Sequence, residues 1–207
     1  MNTSAMFQLI QRGGPVMWPL LLASFVSLSV VIERWLFIVR ERARRRPDVV
    51  EKLLAKVEEG DASAAIKVGQ GCEDFVVKTL VYGLQHRQRS FSNALLRAAN
   101  GELKRFGRGL PVLDTIITLA PLLGLLGTVT GMIRAFGLLG GRELEAPTVI
   151  TGGIAEALIA TAFGLGIAII SLIPFNYLNA RLDEARHELE DIATALELLL
   201  VQPRSEP

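Results

Sequence analysis

Three long apolar stretches, separated by polar segments, dominate the hydropathy pattern of this chain of 207 residues. The first stretch, 13–32, contains no charged residue, and charges resume at Glu33 and Arg34. Its 20 residues are long enough to cross a hydrocarbon core of about 30 Å as a helix. A cleaved signal peptide is the alternative, but the basic segment before the stretch is thin and no convincing A-x-A cleavage motif follows it. The pattern therefore predicts a retained transmembrane helix over 13–34.

The second and third apolar stretches cover 110–139 and 149–176, and a short polar loop, 140–148, joins them. Both stretches exceed the length that a spanning helix needs. Because the loop is short, the two helices are expected to form an antiparallel hairpin. One charged residue, Glu156, lies inside the third stretch.

The second stretch is interrupted by residues that ordinarily weaken a helix. Its segment 120–136 reads A-P-L-L-G-L-L-G-T-V-T-G-M-I-R-A-F. In water Gly costs about 1 kcal/mol and Pro about 3 kcal/mol relative to Ala, whereas in a membrane small residues allow a neighbouring helix to approach closely. The spacing of the glycines by three and four places them on one helix face. The residues predicted to shape packing and kinks are Pro121, Gly124, Gly127, Gly131, Gly164 and Pro174.

Basic residues are concentrated between the first and second stretches, where 39–109 contains 15 Lys and Arg against 9 Asp and Glu. Such segments beside membrane helices remain in the cytoplasm, so 35–109 is predicted to be a cytoplasmic helical region and 1–12 an external N-terminus. An Arg-rich run could instead bind nucleic acid or lipid headgroups. Beside a membrane helix we interpret it as a topology determinant that also contacts anionic lipids, and we expect no nucleic-acid partner. Three spans then place the tail, 177–207, in the cytoplasm.

The polar regions have helical periodicity of their own. From Ser92 onward apolar residues recur at helical spacing, with Gly107 and Gly109 as the interruptions, so one long helix is expected to rise into the second span. In the tail, apolar residues alternate at steps of four and three, which is a heptad seam. The seam consists of Leu178, Leu182, Ala185, Leu189, Ile192, Leu196 and Leu199. The third span should therefore continue as a helix that packs against the helix before the second span or against another subunit; a coiled-coil adaptor is the alternative.

Composition and motifs argue against an enzyme or a metalloprotein. The single Cys72 excludes an internal disulfide and a cysteine cluster, and His86 and His187 are far apart in sequence. The chain contains no Walker loop, H-E-x-x-H or G-x-S-x-G motif. No catalytic residue, cofactor or metal site is expected.

Polar residues within the hairpin are the candidates for function. Thr128 lies about 15 residues before the loop midpoint and Thr161 about 17 after it, which places the two hydroxyls within roughly 3 Å in depth at 1.5 Å per residue. Glu156 lies about 7 Å closer to the outside by the same rise. An ionisable group in a span should face protein or a water-filled path. The alternatives are threonines that bond only within a packed hairpin and a glutamate that reaches the interface.

No Asp, Glu or His lies near the middle of any predicted span. A proton carrier needs a titratable group there, and threonine does not titrate near pH 7. If the protein conducts protons, that group should come from a partner.

The run at 120–136 resembles the second transmembrane helix of the MotA/TolQ/ExbB proton channel family. G-G-P-V-M-W-P-L-L-L at 13–22, followed by I-E-R at 32–34, is similar to the first helix of ExbB-type members. I-A-E-A-L-I-A-T-A-F-G-L at 154–165, followed by N-Y at 176–177, is similar to the third. The likeness covers all three spans in the same order.

This resemblance implies a channel-forming subunit of an ion-driven motor, with H+ as the expected ion and Na+ as the alternative. Thr128 and Thr161 match the family's pore-facing threonines, Glu156 matches the acidic residue near the start of the third helix, and Pro121 matches a shared proline. Such subunits form homo-oligomers, typically pentamers, around a single-span ExbD/TolR-type partner that carries an intramembrane Asp. The resemblance further implies that the motor passes mechanical work to a TonB- or TolA-like protein.

The expected architecture is an all-α integral membrane protein with three transmembrane helices. The second and third extend into the cytoplasm, and several subunits form a helical ring. The resemblance implies the bacterial inner membrane, with a periplasmic N-terminus and a cytoplasmic C-terminus. Energising TonB-dependent import, as in ExbB, is the first expectation. A TolQ-like envelope or gliding motor is the second, and a non-conducting scaffold is the third.

Overall fold

The computed structural model describes residues 13–137 and 146–201, and the regular structure in these ranges is entirely helical. The helices are α1 (Met17–Ala43), α2 (Pro47–Glu58), α3 (Ala62–Gly69), α4 (Phe75–Gln85), α5 (Arg87–Phe106), α6 (Leu110–Gly137) and α7 (Ala146–Val201). The predicted N-terminal segment 1–12 and residues 138–145, which hold most of the predicted loop, lie outside the described residues. α7 already includes residues 146–148 of that loop.

Three of these helices, α1, α6 and α7, are long and apolar enough to cross a membrane. This confirms the prediction of an all-helical protein with three helices that could span a membrane. Pro121 lies inside α6 and Pro174 inside α7, and neither proline ends its helix. α7 is one continuous helix of 56 residues, as the heptad seam in the tail predicted.

The predicted single helix leading into the second span is divided in the structure. α5 ends at Phe106 and α6 begins at Leu110. Between them Gly109 has φ +84°, a conformation that residues with a Cβ rarely adopt. A continuous helix cannot pass through that conformation, so the second span is preceded by a separate helix.

The chain divides into two compact units. The described residues of Met1–Glu33 and Gly109–Tyr177 form one, here called the transmembrane unit. Those of Arg34–Arg108 and Leu178–Pro207 form the other, here called the polar unit.

In the transmembrane unit, α6 and α7 pack backbone against backbone. A Cβ added at Gly124 would lie 3.0 Å from the Cα of Thr161, and one added at Gly131 would lie 3.1 Å from the Cβ of Ala157. A Cβ at Gly164 would overlap the carbonyl oxygen of Ala120. The helices are too close at these positions for the glycines to be replaced by larger residues without a shift. The small residues therefore set the distance between the helices.

α1 completes this unit through an apolar cluster and one polar contact. Val16, Met17 and Leu20 are buried together with Ala120 of α6 and Ala160 of α7. Farther along α1, the buried hydroxyls of Ser27 and Ser171 lie 2.6 Å apart. α1 and α7 are therefore joined by a hydrogen bond within the apolar region.

The heptad seam of the tail is buried inside the polar unit. Ala185, Leu189 and Leu196 belong to one cluster with the cores of α2, α4 and α5, and Leu182, Ile192 and Leu199 pack against it. The cluster includes Leu95 and Phe106 of α5. The seam thus packs against the helix before the second span, which is one of the two arrangements expected for it.

Opposite charges also meet in the polar unit. Arg45 forms ion pairs with Glu188 of the tail and, at 2.6 Å, with the fully buried Asp74. Asp74 caps α4 by accepting from the Val76 N–H at 2.8 Å, and its second oxygen accepts from the Arg46 N–H at 2.6 Å. These bonds compensate for the removal of the carboxylate from water.

Candidate ion path

Thr161 of α7 is bonded to the backbone of α6. Its Oγ1 donates to the carbonyl oxygen of Gly124 at 2.9 Å, and the side chain is half-buried. The glycine allows this contact because it brings the two backbones together at this point. Thr161 therefore contributes to the packing of α6 against α7, and its predicted place along an ion path stays a prediction.

Thr128 of α6 is bonded within its own helix. Its Oγ1 donates to the Leu125 carbonyl oxygen at 2.6 Å. Thr130 likewise donates to the Leu126 carbonyl oxygen at 2.9 Å. Intrahelical bonds were the alternative to a functional role for the threonines, and Thr128 and Thr130 make them. A hydroxyl that donates to a carbonyl keeps its lone pairs, so it can still accept a hydrogen bond.

The register of the hairpin differs from the one expected from the loop midpoint. Thr161 lies beside Gly124, and Thr128 follows Gly124 by four residues along α6. At 1.5 Å per residue the two hydroxyls are offset by about 6 Å, rather than about 3 Å. The glycine contacts determine this register, and counting residues from the loop does not reproduce it.

Thr128 faces a shallow groove along the exposed side of α6. The other residues lining the groove are Val129, Met132, Ile133 and Phe136. Thr128 is the polar member of this set, so its hydroxyl lies among apolar side chains in this groove. That the two threonines and Glu156 line a path stays a prediction.

Glu156 is paired with Arg134 across the hairpin. The Nη1 of Arg134 lies 3.1 Å from the Oε1 of Glu156. The side chain of Glu156 is 26% exposed and that of Arg134 is 52% exposed. The sequence reasoning missed this pair. The signal was available, since the two opposite charges lie 22 residues apart on either side of the loop.

Gly14, at the start of the transmembrane unit, lies against the same carboxylate. It has φ +73°, and a Cβ at this position would overlap the Oε1 of Glu156. Glycine is needed there for both its conformation and its lack of a side chain. Glu156 is therefore held between a guanidinium group on one side and backbone on the other.

Of the residues predicted to shape packing and kinks, the glycines lie in these contacts. Gly124, Gly127, Gly131 and Gly164 all lie where α6 and α7 approach each other. Pro121 and Pro174 are half-buried within their helices. Among the described residues, no group of three His, Cys, Asp or Glu side chains could hold a metal ion.

Comparison with known proteins gives a family match. The sequence profile of the MotA/TolQ/ExbB proton channel family matches residues 70–191. The chain is 38% identical over 204 residues to an ExbB-like biopolymer transport protein of Synechocystis sp., which covers 95% of this chain and 79% of the relative. It is 28% identical over 201 residues to the biopolymer transport protein ExbB of Salmonella typhimurium, covering 91% of this chain and 81% of that protein.

A shorter match connects the chain with a second kind of relative. The Tol-Pal system protein TolQ of Haemophilus influenzae is 39% identical over 90 residues. This match covers 44% of the chain and 40% of that protein.

Proposed function

Because the chain belongs to the MotA/TolQ/ExbB proton channel family, we propose that it is the channel-forming subunit of a proton-driven motor in the bacterial inner membrane. Its N-terminus is periplasmic and its polar unit and C-terminus are cytoplasmic, following the excess of basic residues in 39–109. The observation that carries the proposal is that both threonine hydroxyls donate to backbone carbonyls, in parts of the two helices whose sequence contains no Asp, Glu or His.

Both hydroxyls donate their protons to backbone carbonyls and can offer only lone pairs to a third group. A protonated carboxylic acid has an O–H to donate to such an oxygen, whereas a carboxylate has none. A wall of these threonines therefore stabilises a passing carboxyl group in its neutral form. The ionised form gains nothing from the wall and remains where water solvates it.

The carboxyl group itself comes from a partner. Between Asp114 and Arg134 in α6, and between Glu156 and Arg181 in α7, the sequence contains no Asp, Glu or His. The proposed partner is a single-span ExbD/TolR-type protein with an intramembrane Asp. Each proton moving through 100 mV releases about 2.3 kcal/mol, which is available to rotate one component relative to the other.

Several subunits are required to surround such a partner. The groove beside Thr128 lies on the outside of the single subunit, with Ile133 and Phe136 exposed. A ring of copies, as in a pentamer, would bring these faces around one axis and remove their apolar surface from lipid and water. In each subunit, the glycine contacts between α6 and α7 hold the two helices of the hairpin together.

The motor's output is proposed to be TonB-dependent import at the outer membrane, through a TonB-like protein. The ExbB-like relative of Synechocystis and the ExbB of Salmonella typhimurium match over more than nine-tenths of the chain, whereas the match to the TolQ of Haemophilus influenzae covers less than half. A TolQ-like motor that acts on the envelope through a TolA-like protein, or a gliding motor, is the second candidate, supported by that shorter match.

Ion flux in proteoliposomes under an imposed potential tests the channel. The protein is reconstituted alone and with an ExbD/TolR-type protein of the same organism, and H+ and Na+ fluxes are measured separately. Flux should require the partner and should collapse in Thr128→Val and Thr161→Val. Thr130→Val is the matched control, because Thr130 lies two residues from Thr128 and also bonds its own helix. Partner-dependent flux that ignores both substitutions would favour a non-conducting scaffold or another path.

A further inference from the structure

In the described part of the hairpin, Arg134 and Glu156 form an isolated pair of opposite charges toward the loop end. Arg134 and Glu156 are 3.1 Å apart, and long uncharged sequence separates each from the next charge toward the middle of its helix. A single charge in a span is costly, and a pair reduces that cost for both members. The pairing therefore explains how α6 and α7 each tolerate a charge here.

The pair lies on the same two helices as the threonines, and each charged residue is closer to the loop than the threonine of its own helix. Arg134 follows Thr128 by six residues, and Glu156 precedes Thr161 by five. At 1.5 Å per residue both charges lie about 7 to 9 Å closer to the loop than the respective hydroxyls. In the proposed topology the loop is periplasmic, so an ion from outside meets Arg134 before either threonine, and Glu156 lies at about the depth of Thr128.

The two members differ in how much of each remains accessible. Arg134 is half-exposed, and one nitrogen of its guanidinium group contacts Glu156. Glu156 is three-quarters covered, and Gly14 lies against the same Oε1 that Arg134 contacts. The carboxylate is therefore occupied, while the arginine presents its positive charge and further N–H donors.

We propose that Arg134 is a positioning and specificity-determining residue that keeps metal cations from binding to Glu156, so that the outer end of the path favours protons. The inference rests on the proposed channel function and extends it to a residue that no motif singles out. An arginine remains charged at every physiological pH. A hard cation such as Na+ seeks carboxylate oxygen, and here that oxygen is already bound and accompanied by a fixed positive charge.

Flux selectivity in the reconstituted complex with its partner is the first test. Arg134→Gln should increase Na+ flux relative to H+ flux by about tenfold or more, which corresponds to about 1.4 kcal/mol. Arg134→Lys should keep the wild-type ratio, because the positive charge remains. The double variant Arg134→Gln/Glu156→Gln should return toward the wild-type ratio, because the freed carboxylate is gone. An unchanged ratio in Arg134→Gln would overturn the inference.

Sodium binding to the full chain in detergent, without a partner, is the second test. The midpoint of thermal unfolding is compared in NaCl and in choline chloride at equal ionic strength. Arg134→Gln should gain stability specifically in NaCl, and the wild type and the double variant should not. If NaCl stabilises all three proteins equally, or stabilises the wild type, Arg134 does not keep sodium from Glu156.

These two tests separate this inference from the channel proposal. A sodium-specific shift in Arg134→Gln with no flux from any complex would support the shielding and contradict the channel. If Arg134→Gln fails to assemble, the charge exchange Arg134→Glu/Glu156→Arg retains the pair and should assemble. If NaCl changes the unfolding temperature of the exchanged variant no more than that of the wild type, the inference is supported. A sodium-specific stabilisation of the exchanged variant refutes it.

Discussion

Thr161 donates a hydrogen bond of 2.9 Å to the carbonyl oxygen of Gly124, and this bond joins the two helices of the hairpin at the level of the candidate ion path. The bond fixes both the rotation of Thr161 and the register of α7 against α6. Thr161, which is predicted to line the ion path, therefore also connects α7 to α6. Substitutions of Thr161 must be assessed for stability before flux data are interpreted.

Replacement of Thr161 should weaken the fold by a modest amount. Thr161→Val removes the interhelical bond, and such bonds in membranes contribute about 0.6 kcal/mol on average and up to about 1.7 kcal/mol. Thr161→Ser should retain most of the stability. Thermal unfolding in detergent measures both, with Thr128→Val as the control because that threonine bonds its own helix. Equal losses in the two valine variants would show that the bond to Gly124 contributes nothing.

Replacement by alanine should destabilise the protein at Gly164 but not at Gly166. A Cβ at Gly164 would overlap the Ala120 carbonyl oxygen and lie 3.1 Å from the Cα of Gly124, whereas nothing lies within 4 Å of a Cβ at Gly166. Gly164→Ala should therefore cost about 1–3 kcal/mol. Gly166→Ala should be neutral within the subunit. Unfolding temperature gives the comparison, and a tolerated Gly164→Ala would mean that the helices are farther apart than described.

The hydrogen bond between Ser27 and Ser171 predicts coupling between α1 and α7. Both hydroxyls are buried, so removing one leaves the other without this partner. We expect Ser27→Ala and Ser171→Ala each to lower stability and the double variant to lower it by no more than the worse single variant. A double-mutant cycle on thermal unfolding measures this coupling. Strictly additive losses would show that the hydroxyls do not interact.

Asp74→Asn should destabilise the polar unit by about 2–3 kcal/mol, because Arg45 loses a buried charged partner. Asp61→Asn is the matched control. Asp61 also caps a helix, by accepting from the Ala64 N–H at 2.8 Å, but it is exposed and asparagine caps nearly as well. Chemical unfolding of the two variants should separate them clearly. Similar small losses of stability in the two variants would mean that Asp74 stabilises the protein only by capping its helix.

Sequence patterns identified the elements of this protein correctly where the determining interaction is local. The three spans follow from uncharged length, and the glycine face of α6 follows from spacings of three and four. The heptad seam of α7 likewise follows from its own residues, and the structure buries it. The break before α6 could not be predicted from the sequence. A glycine can also lie within a helix, and only the positive φ angle of Gly109 in the structure shows that the helix ends there.

The amino-acid sequence by itself determined that the chain has three helices long and apolar enough to cross a membrane, since the cost of placing polar groups in lipid is set residue by residue. It also supplied the threonines and the absence of a titratable residue beside them. Only the tertiary structure decided that Thr161 lies against Gly124 and that Arg134 pairs with Glu156. These contacts depend on the distance and register of two packed helices, and a close backbone approach sets both across many residues of sequence.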